Sequence, residues 1–238
     1  MLDIKELTKE VHTNAERQEF VKTLMSGFIN PKHYAIFLYN QLICYSTVER
    51  YAIDNGLFKD TEGLQRAEHI HYDVKTLWPS DNPPLITQST ADYCKHVDSI
   101  KEDPQKLYCH IYARHLGDLS GGQMIKKKTP GPNRYYQFKD GQVKEWKNIV
   151  RERINGYLNV YQHTIVPETK LVFEYATRLF AEMKEIEPYL DSLIRVLEGK
   201  GGSGSTIPET NKPPSSVGKV MTSEYMEKNP LEQWFGKD

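Results

Sequence analysis

A chain of 238 residues, 38% hydrophobic and 26% charged, is long enough for one globular domain with a substantial core. Its net charge of −1 excludes a generally basic, nucleic-acid-binding protein, although Lys126-Lys127-Lys128 forms one dense basic run. The sequence contains no apolar stretch of about 18 residues, no signal-peptide pattern and no CxxC pair among its scattered cysteines, so we expect no membrane span and a cytoplasmic location.

Helical periodicity dominates up to about residue 198, and the period-two alternation of strands is almost absent. Asp3 and Glu6 predict a capped start for a first helix that runs to about Ser26. Pro31 opens a second helix, which ends near Gly56. Further helices are predicted at about 62–77, 89–101, 104–127, 143–163 and 167–198, with a loop, TPGPNRYYQFKDGQ, that could turn like a hairpin at Asp140-Gly141. The predicted fold class is therefore all-α, a single-domain bundle of unequal helices.

The sequence changes character at Gly199. The run GKGGSGS has the composition of a flexible linker, and TIPETNKPPSSVG has that of a disordered segment. We therefore expect a folded domain at 1–198 and a linker at 199–218. The tail at 219–238 carries apolar residues at helical spacing, which suits either a loosely docked tail or a peptide that folds on a partner. The sequence leaves open whether this tail is natural or engineered.

The first predicted helix carries a polar stripe. Lys5, Lys9, His12 and Glu16 are spaced by four, three and four residues, so they share one face. Neutral imidazole binds iron through one nitrogen, and a carboxylate such as Glu16 can orient the other. The lysines suit carboxylates on the same ligand. The stripe favours an anionic, metal-containing ligand, and the alternative is a solvated face with an incidental histidine.

A second helical segment, LYCHIYARHLGDLSGGQMIKKK, contains Gly117, Gly121 and Gly122. Each glycine inside a helix costs on the order of 1 kcal/mol relative to alanine, so this cluster indicates a use for missing side chains. Gly117 and Gly121 share a face where backbone could approach something flat, with Asp118 at its border. Close packing of two helices is the alternative explanation.

Two of these segments resemble a known family. KELTKEVHTNAE and YARHLGDLSGGQ closely resemble the two heme-contacting segments of the heme oxygenases, and the second keeps GDLSGGQ unbroken over 117–123. VRERINGYLN at 150–159 resembles a third family segment, and LVFEYATRLF at 171–180 resembles the closing helix more loosely. The resemblance covers about residues 3–198. It implies a helical fold in which heme lies between a proximal and a distal helix.

The resemblance also implies roles for individual residues. His12 would be the proximal ligand of the heme iron, with Glu16 beside it. Gly117 and Gly121 would belong to the distal helix, and Asp118 would organise distal water and deliver a proton. The remaining positions that the resemblance places around heme are Lys5, Lys9, Tyr112, Arg114, Gly122, Lys147, Arg151, Phe173 and Phe180.

The implied activity is the opening of heme at its α-meso carbon to biliverdin IXα, carbon monoxide and ferrous iron. Heme would be both cofactor and substrate, and dioxygen the co-substrate. Ala176 departs from many relatives, which carry a polar side chain there, so we expect different heme contacts at that point. The alternatives are a heme carrier or sensor on the same fold, and a related helical module that binds no heme.

The electrons would come from another protein, because the chain has no flavin or nicotinamide motif. In having no C-terminal membrane anchor, the sequence resembles the bacterial, plastid or phage type of heme oxygenase. That resemblance implies a ferredoxin partner and a role in bilin synthesis. Lys126, Lys127 and Lys128 could steer an acidic ferredoxin, or they could form a solvated end that complements the helix dipole. We expect a monomer.

Overall fold

The computed structural model describes residues 2–139 and 141–199, and within them every regular element is helical. The α-helices are α1 (Ile4–Leu7), α2 (Lys9–Glu16), α3 (Glu19–Ser26), α4 (Pro31–Asp54), α5 (Ala67–Leu77), α6 (Gln88–Ser99), α7 (Pro104–His110), α8 (Leu116–Ser120), α9 (Gly122–Ile125), α10 (Val143–Glu185) and α11 (Leu190–Leu197). Short 3₁₀ turns lie at Glu62–Leu64, Arg134–Tyr136 and Glu187–Tyr189, and a π-helical turn lies at Ile111–His115. The all-α prediction is confirmed. The predicted turn at Asp140, the linker beyond Gly199 and the tail at 219–238 lie outside the described residues.

The first predicted helix is three short helices. The Asp3 side chain caps α1 by accepting a 3.0 Å hydrogen bond from the Lys5 backbone N–H. Thr8 separates α1 from α2 with a non-helical backbone, and its hydroxyl donates to the Ile4 carbonyl at 2.8 Å. Gly27, at φ +81°, ends α3 in the left-handed conformation that glycine adopts readily. The helix is therefore interrupted at Thr8, between Lys5 and Lys9 of the predicted polar stripe.

The long helix α4 forms the centre of the fold. Pro31 occupies its first turn, and the Asn30 side chain accepts a 2.8 Å hydrogen bond from the Lys32 backbone N–H. Every residue from His33 to Glu49 is buried, because α5, α6 and α7 pack around the helix. A helix covered on all sides can carry apolar residues around its whole circumference.

The predicted helix over 104–127 changes its winding in the middle. The Asp103 side chain caps α7 through the Lys106 backbone N–H at 3.0 Å. The chain then passes through the π-helical turn before it resumes as α8 and α9, which ends at Ile125. Such wide turns occur frequently at functional sites. The π-helical turn directly precedes the glycines. Because it is wider than an α-helical turn, the side chains of α8 point in different directions from those that a continuous α-helix would give.

The helix predicted at 143–163 and the first part of the one predicted at 167–198 are joined across a kink at Tyr161 (φ −122°, ψ 38°) into α10, which ends at Glu185. The rest of the second predicted helix forms the 3₁₀ turn at Glu187–Tyr189 and α11. Pro167 lies six residues beyond the kink. Proline lacks an N–H and crowds the carbonyl four residues earlier, so a helix is commonly interrupted on the N-terminal side of a proline. The sequence predicted this break between residues 163 and 167, whereas the kink lies at Tyr161. α10 contacts α1, α2, α3, α6, α7 and α8. It therefore connects the N-terminal helices to residues 116–125, which carry Gly117, Gly121 and Gly122 and are called the glycine segment below. No helix in the described ranges is both long and apolar enough to cross a membrane.

Candidate functional site

A cavity of about 480 Å³ opens between the N-terminal helices, α4, the glycine segment and α10. Its size lies within the usual range for small-molecule and cofactor sites. The sequence-predicted residues that line it are Lys5, Lys9, His12, Glu16, Tyr112, Arg114, Gly117, Asp118, Gly121, Gly122, Arg151, Phe173 and Phe180. Lys147, also predicted, lies one turn before Arg151 on α10 and is not among the lining residues. Residues from distant parts of the sequence therefore meet around one cavity.

His12 presents one ring nitrogen to this cavity. Its Nδ1 lies 3.5 Å from Oε2 of Glu16, one turn further along α2. The Phe173 ring meets the imidazole edge-on, with ring centroids 5.2 Å apart and planes at 83°. The side chain of His12 stays 47% exposed. With Nδ1 turned to the carboxylate and the ring held by Phe173, Nε2 is the nitrogen available to a metal.

The cavity mouth is basic. Lys5, Lys9 and Arg151 line it, and all three are exposed. Tyr112 lines it as well, and burial raises the pKa of its phenol to about 12, so this hydroxyl remains a donor at neutral pH. Three cations and a phenol at one rim suit a ligand with carboxylate groups.

The glycines differ in what surrounds them. A Cβ on Gly117 would meet no heavy atom within 4 Å, and one on Gly121 would meet only the Gly117 carbonyl at 3.6 Å. A Cβ on Gly122 would lie 2.4 Å from the Tyr136 ring. Gly117 and Gly121 therefore leave bare backbone at the cavity, whereas Gly122 is needed for packing against Tyr136. Both explanations that the sequence offered for the cluster have a place in the structure.

Asp118 is held by two phenols. The Tyr45 hydroxyl donates a very short hydrogen bond to Oδ2, and the Tyr135 hydroxyl donates to Oδ1 at 3.0 Å. Burial raises the pKa of this carboxyl to about 7, while the two phenols and the cations Arg66 and Arg114 act to lower it. Asp118 can therefore exchange a proton near neutral pH.

Arg114, which also lines the cavity, is held in place by several contacts. Its Nη1 donates to Oε1 of Gln41 at 3.0 Å, and its Nε donates to the Tyr93 hydroxyl at 2.8 Å. Its guanidinium also lies over the Tyr93 ring, 4.0 Å from the centroid. These contacts stiffen the polar side of the cavity.

Among the polar lining residues that the sequence analysis missed are Gln41, Tyr45 and Tyr135. Gln41 and Tyr45 lie four residues apart on α4, and two polar groups on one face of an apolar helix are a signal that could have indicated them. Tyr135 lies in the loop before α10, which has no periodicity. Its position depends on Asp73, whose carboxylate accepts from the backbone N–H groups of Arg134 at 3.0 Å and of Tyr135 at 2.9 Å.

Aromatic rings cover the rest of the cavity, with Phe37, Phe173 and Phe180 among its lining residues. Apolar walls, a free histidine nitrogen, a basic mouth and a bare stretch of backbone fit a flat, anionic, metal-containing ligand. The fold and the site therefore define a helical protein with a pocket of the kind that holds heme.

Comparison with known proteins agrees with a heme-binding pocket. The sequence pattern of the heme oxygenase family matches residues 2–185. The chain is 33% identical over 202 residues to heme oxygenase of Guillardia theta, covering 77% of this chain and 85% of that protein. It is 30% identical over 227 residues to heme oxygenase 2 of Rattus norvegicus, covering 83% and 71%. The solved structure of heme oxygenase-1 from Synechocystis in complex with heme aligns at 26% identity and a TM-score of 0.67, over 83% of this chain and 96% of that one. The chain belongs to the heme oxygenase family, whose members degrade heme.

Proposed function

We propose that this protein opens heme at its α-meso carbon to biliverdin IXα, carbon monoxide and ferrous iron, using dioxygen and electrons from an external donor. The observation that carries the proposal is the arrangement of Asp118, a carboxyl with a pKa of about 7, next to bare glycine backbone in a cavity that also contains His12.

His12 is the proposed ligand of the heme iron, through Nε2. Glu16 sits 3.5 Å from Nδ1, where it orients the imidazole and makes it a better donor to the metal. Phe173 limits rotation of the ring by its edge-on contact. His12 would hold the iron by one imidazole, and the bare glycine backbone lines the same cavity.

The basic mouth is proposed to hold the two propionates of heme. Lys5, Lys9 and Arg151 line this rim, and Tyr112 adds a phenol that stays protonated. Charge pairs at the propionate edge fix the rotation of the ring in its own plane. That rotation decides which meso carbon lies at the reactive position, and we assign the α carbon on the resemblance to the family. Lys147 is one turn away on α10, where its flexible side chain could reach a bound propionate.

The distal side is proposed to supply space and a proton. When heme is bound, it supplies the iron that activates dioxygen and the ring that is oxidised. Gly117 and Gly121 would leave room for dioxygen against the backbone, because neither residue has a side chain. Asp118 holds a proton that a water molecule can carry to the reacting oxygen, and a pKa near the working pH is efficient for this transfer.

The electron donor is proposed to be a small acidic protein of the ferredoxin type. Lys127 and Lys128 are exposed just beyond α9, with the half-buried Lys126 before them. This run follows directly on the helix that bears the glycines. Opposite charges here would raise the rate of association and make it sensitive to salt.

A heme carrier or sensor would share His12 and the basic mouth, but it would not need a titrating carboxyl beside the bare backbone. The test is to add hemin to the purified protein, record the Soret band, and then supply reduced ferredoxin or ascorbate under air. We expect a histidine-type spectrum that converts to biliverdin absorbance, with the IXα isomer identified by chromatography. A stable Soret band without product would establish the carrier, and no band at all would remove heme from the site.

A further inference from the structure

Behind the cavity wall, three helices bring together two histidines and a carboxylate. His96 lies on α6, His110 on α7 and Glu168 on α10. Nε2 of His96 is 2.5 Å from Oε1 of Glu168, and Nε2 of His110 is 3.1 Å from the same oxygen. One potential ligand atom from each residue lies within 4.8 Å of the others. None of these residues lines the heme cavity.

We propose that His96, His110 and Glu168 form a binding site for one divalent transition metal ion of the zinc or ferrous type, separate from the heme iron. Two imidazoles and a carboxylate are a ligand set that these ions accept in proteins. Ligands contributed by facing helices are also the usual way in which helical bundles hold metals. The site does not depend on heme turnover, so the proposed function can fail while this inference stands.

The cluster offers one carboxylate oxygen and two imidazole nitrogens to an incoming cation. A metal ion would need the carboxylate ionised and the ligating nitrogen of each ring unprotonated, so its binding would displace the protons that now join the rings to Glu168.

His110 also has the outer partner that metal-bound histidines need. Its Nδ1 is 2.8 Å from the Tyr93 hydroxyl, and that hydroxyl accepts from Nε of Arg114 at 2.8 Å. With a metal on Nε2, the ring proton would lie on Nδ1 and be donated to the Tyr93 oxygen, and the Tyr93 hydroxyl hydrogen would turn away from the ring. The imidazole thus stays neutral through a change of tautomer. This hydrogen bond fixes the ring orientation in the way that second partners of metal-binding histidines do.

Room for the ion requires only small side-chain movements. Tetrahedral zinc, with bonds of about 2.0–2.1 Å, separates its ligand atoms by about 3.3–3.5 Å. Nε2 of His110, at 3.1 Å from the shared oxygen, is close to this separation, whereas Nε2 of His96, at 2.5 Å, would have to move outward by up to about 1 Å. The side chain of His96 is 20% exposed, whereas those of Glu168 and His110 are 7% and 0% exposed. The ion would therefore enter past His96, where water can complete the coordination.

The test uses the full-length, heme-free protein after removal of any purification tag and treatment with a chelator. Zn²⁺ binding is measured by calorimetry, and Co²⁺ is added as a spectroscopic probe of coordination. We expect one equivalent of Zn²⁺ to bind at this cluster. His96→Ala should weaken that binding by at least about tenfold, because a ligand is lost. Glu168→Gln should do the same.

Two control variants separate this cluster from other histidines. His12→Ala removes the imidazole of the heme cavity, and His163→Ala removes an exposed imidazole on α10. Neither should change Zn²⁺ binding at the cluster. Zn²⁺ should also raise the unfolding temperature of the wild type by mass action, and it should do so far less in His96→Ala, whose fold is checked by circular dichroism. Absence of binding, or binding that persists in His96→Ala, would overturn the proposal and leave a purely hydrogen-bonded cluster.

Discussion

The Tyr135 hydroxyl donates a 3.0 Å hydrogen bond to one carboxylate oxygen of Asp118, while the other oxygen accepts from Tyr45. Tyr135 belongs to the loop before α10, and Asp118 belongs to the glycine segment. The loop is anchored in turn by Asp73, which receives two of its backbone N–H groups. The orientation of the proposed proton donor therefore depends on a loop that contributes few other residues to the cavity.

Replacing Tyr135 by phenylalanine should raise the pKa of Asp118 above its value of about 7. The lost phenol favours the ionised carboxylate, and Tyr45, Arg66 and Arg114 remain as the groups that lower the pKa. The pKa can be measured in heme-free protein by ¹³C NMR of labelled aspartate, with the Asp118 signal assigned from Asp118→Asn.

Tyr34→Phe is the matched control for Tyr135→Phe. The Tyr34 hydroxyl donates to Asn133 in the same loop at 3.0 Å but makes no hydrogen bond to Asp118. This variant should perturb the loop to a similar degree and leave the titration of Asp118 close to that of the wild type. Equal titration curves for Tyr135→Phe and the wild type would show that the phenol does not act on the carboxyl.

Asp118→Asn should make the heme-free protein more stable relative to the wild type at pH 8 than at pH 5. Burial raises the folded-state pKa from 3.8 to about 7, so ionising Asp118 is harder in the folded than in the unfolded chain. Wild-type stability is therefore lost as the pH rises from about 4 through about 7. Asparagine has no such charge. The difference is measured by urea unfolding at both pH values.

Asp92→Asn is the control for this pH dependence. Burial acts to raise the pKa of Asp92, but its ion pair with Arg178 and the hydrogen bond from Gln88 lower it overall. A lowered carboxyl pKa contributes stability that is fully present above the unfolded-state value, so the effect of this variant should stay constant between pH 5 and pH 8. If the stability difference between Asp118→Asn and the wild type were also the same at pH 5 and pH 8, Asp118 would not have a raised pKa in the folded protein.

The glycines provide a matched pair of variants. Gly122→Ala should destabilise the fold by about 1–3 kcal/mol, because its methyl group would clash with the Tyr136 ring. Gly117→Ala meets no atom within 4 Å and should keep or increase stability, by up to about 1 kcal/mol, since alanine favours helix. Its methyl group should instead weaken heme binding or turnover. Urea unfolding and hemin titration of both variants test the pair, and the reverse pattern would contradict the division between cavity and packing.

His12→Ala should remove the histidine-type heme spectrum and weaken hemin binding. Glu16→Gln should keep the ligand but weaken hemin binding by a smaller factor, because the amide no longer offers an ionised acceptor to Nδ1. His163→Ala, which alters an exposed histidine on α10, should behave as the wild type. An unchanged Soret band in His12→Ala would exclude this residue as the iron ligand.

Charge reversal at Lys127 and Lys128 should slow turnover with reduced ferredoxin at low salt, and high salt should reduce the difference from the wild type. Turnover with ascorbate should not change, since ascorbate needs no docking surface. The exposed Lys144, reversed in the same way, is the control. If both lysine sites respond equally, the run at 126–128 serves only to end its helix.

Much of the site could be predicted because it depends on spacing within one helix. His12 and Glu16 are one turn apart, and the unbroken GDLSGGQ places glycines and a carboxylate together whatever the rest of the chain does. The start of α4 at Pro31 followed from local capping. These features are set by neighbours in the sequence.

The rest depends on contacts between distant residues. The need for glycine at position 122 comes from Tyr136, and the role of Tyr135 comes from a loop held by Asp73 on another helix. The π-helical turn packs against α10, and hydrophobic periodicity does not report such a contact. Pro167 indicated a break in α10, but not that the kink would fall at Tyr161. The histidine cluster, too, is assembled from three helices.

The most direct test of the central claim is to load wild type and Asp118→Ala with hemin, supply ascorbate under air, and measure carbon monoxide and biliverdin together. Both proteins should show the same histidine-type Soret band before the reaction. The wild type should then release carbon monoxide and biliverdin in equal amounts, while Asp118→Ala should yield neither at a comparable rate. Normal product formation by Asp118→Ala, or none by the wild type, would contradict the account.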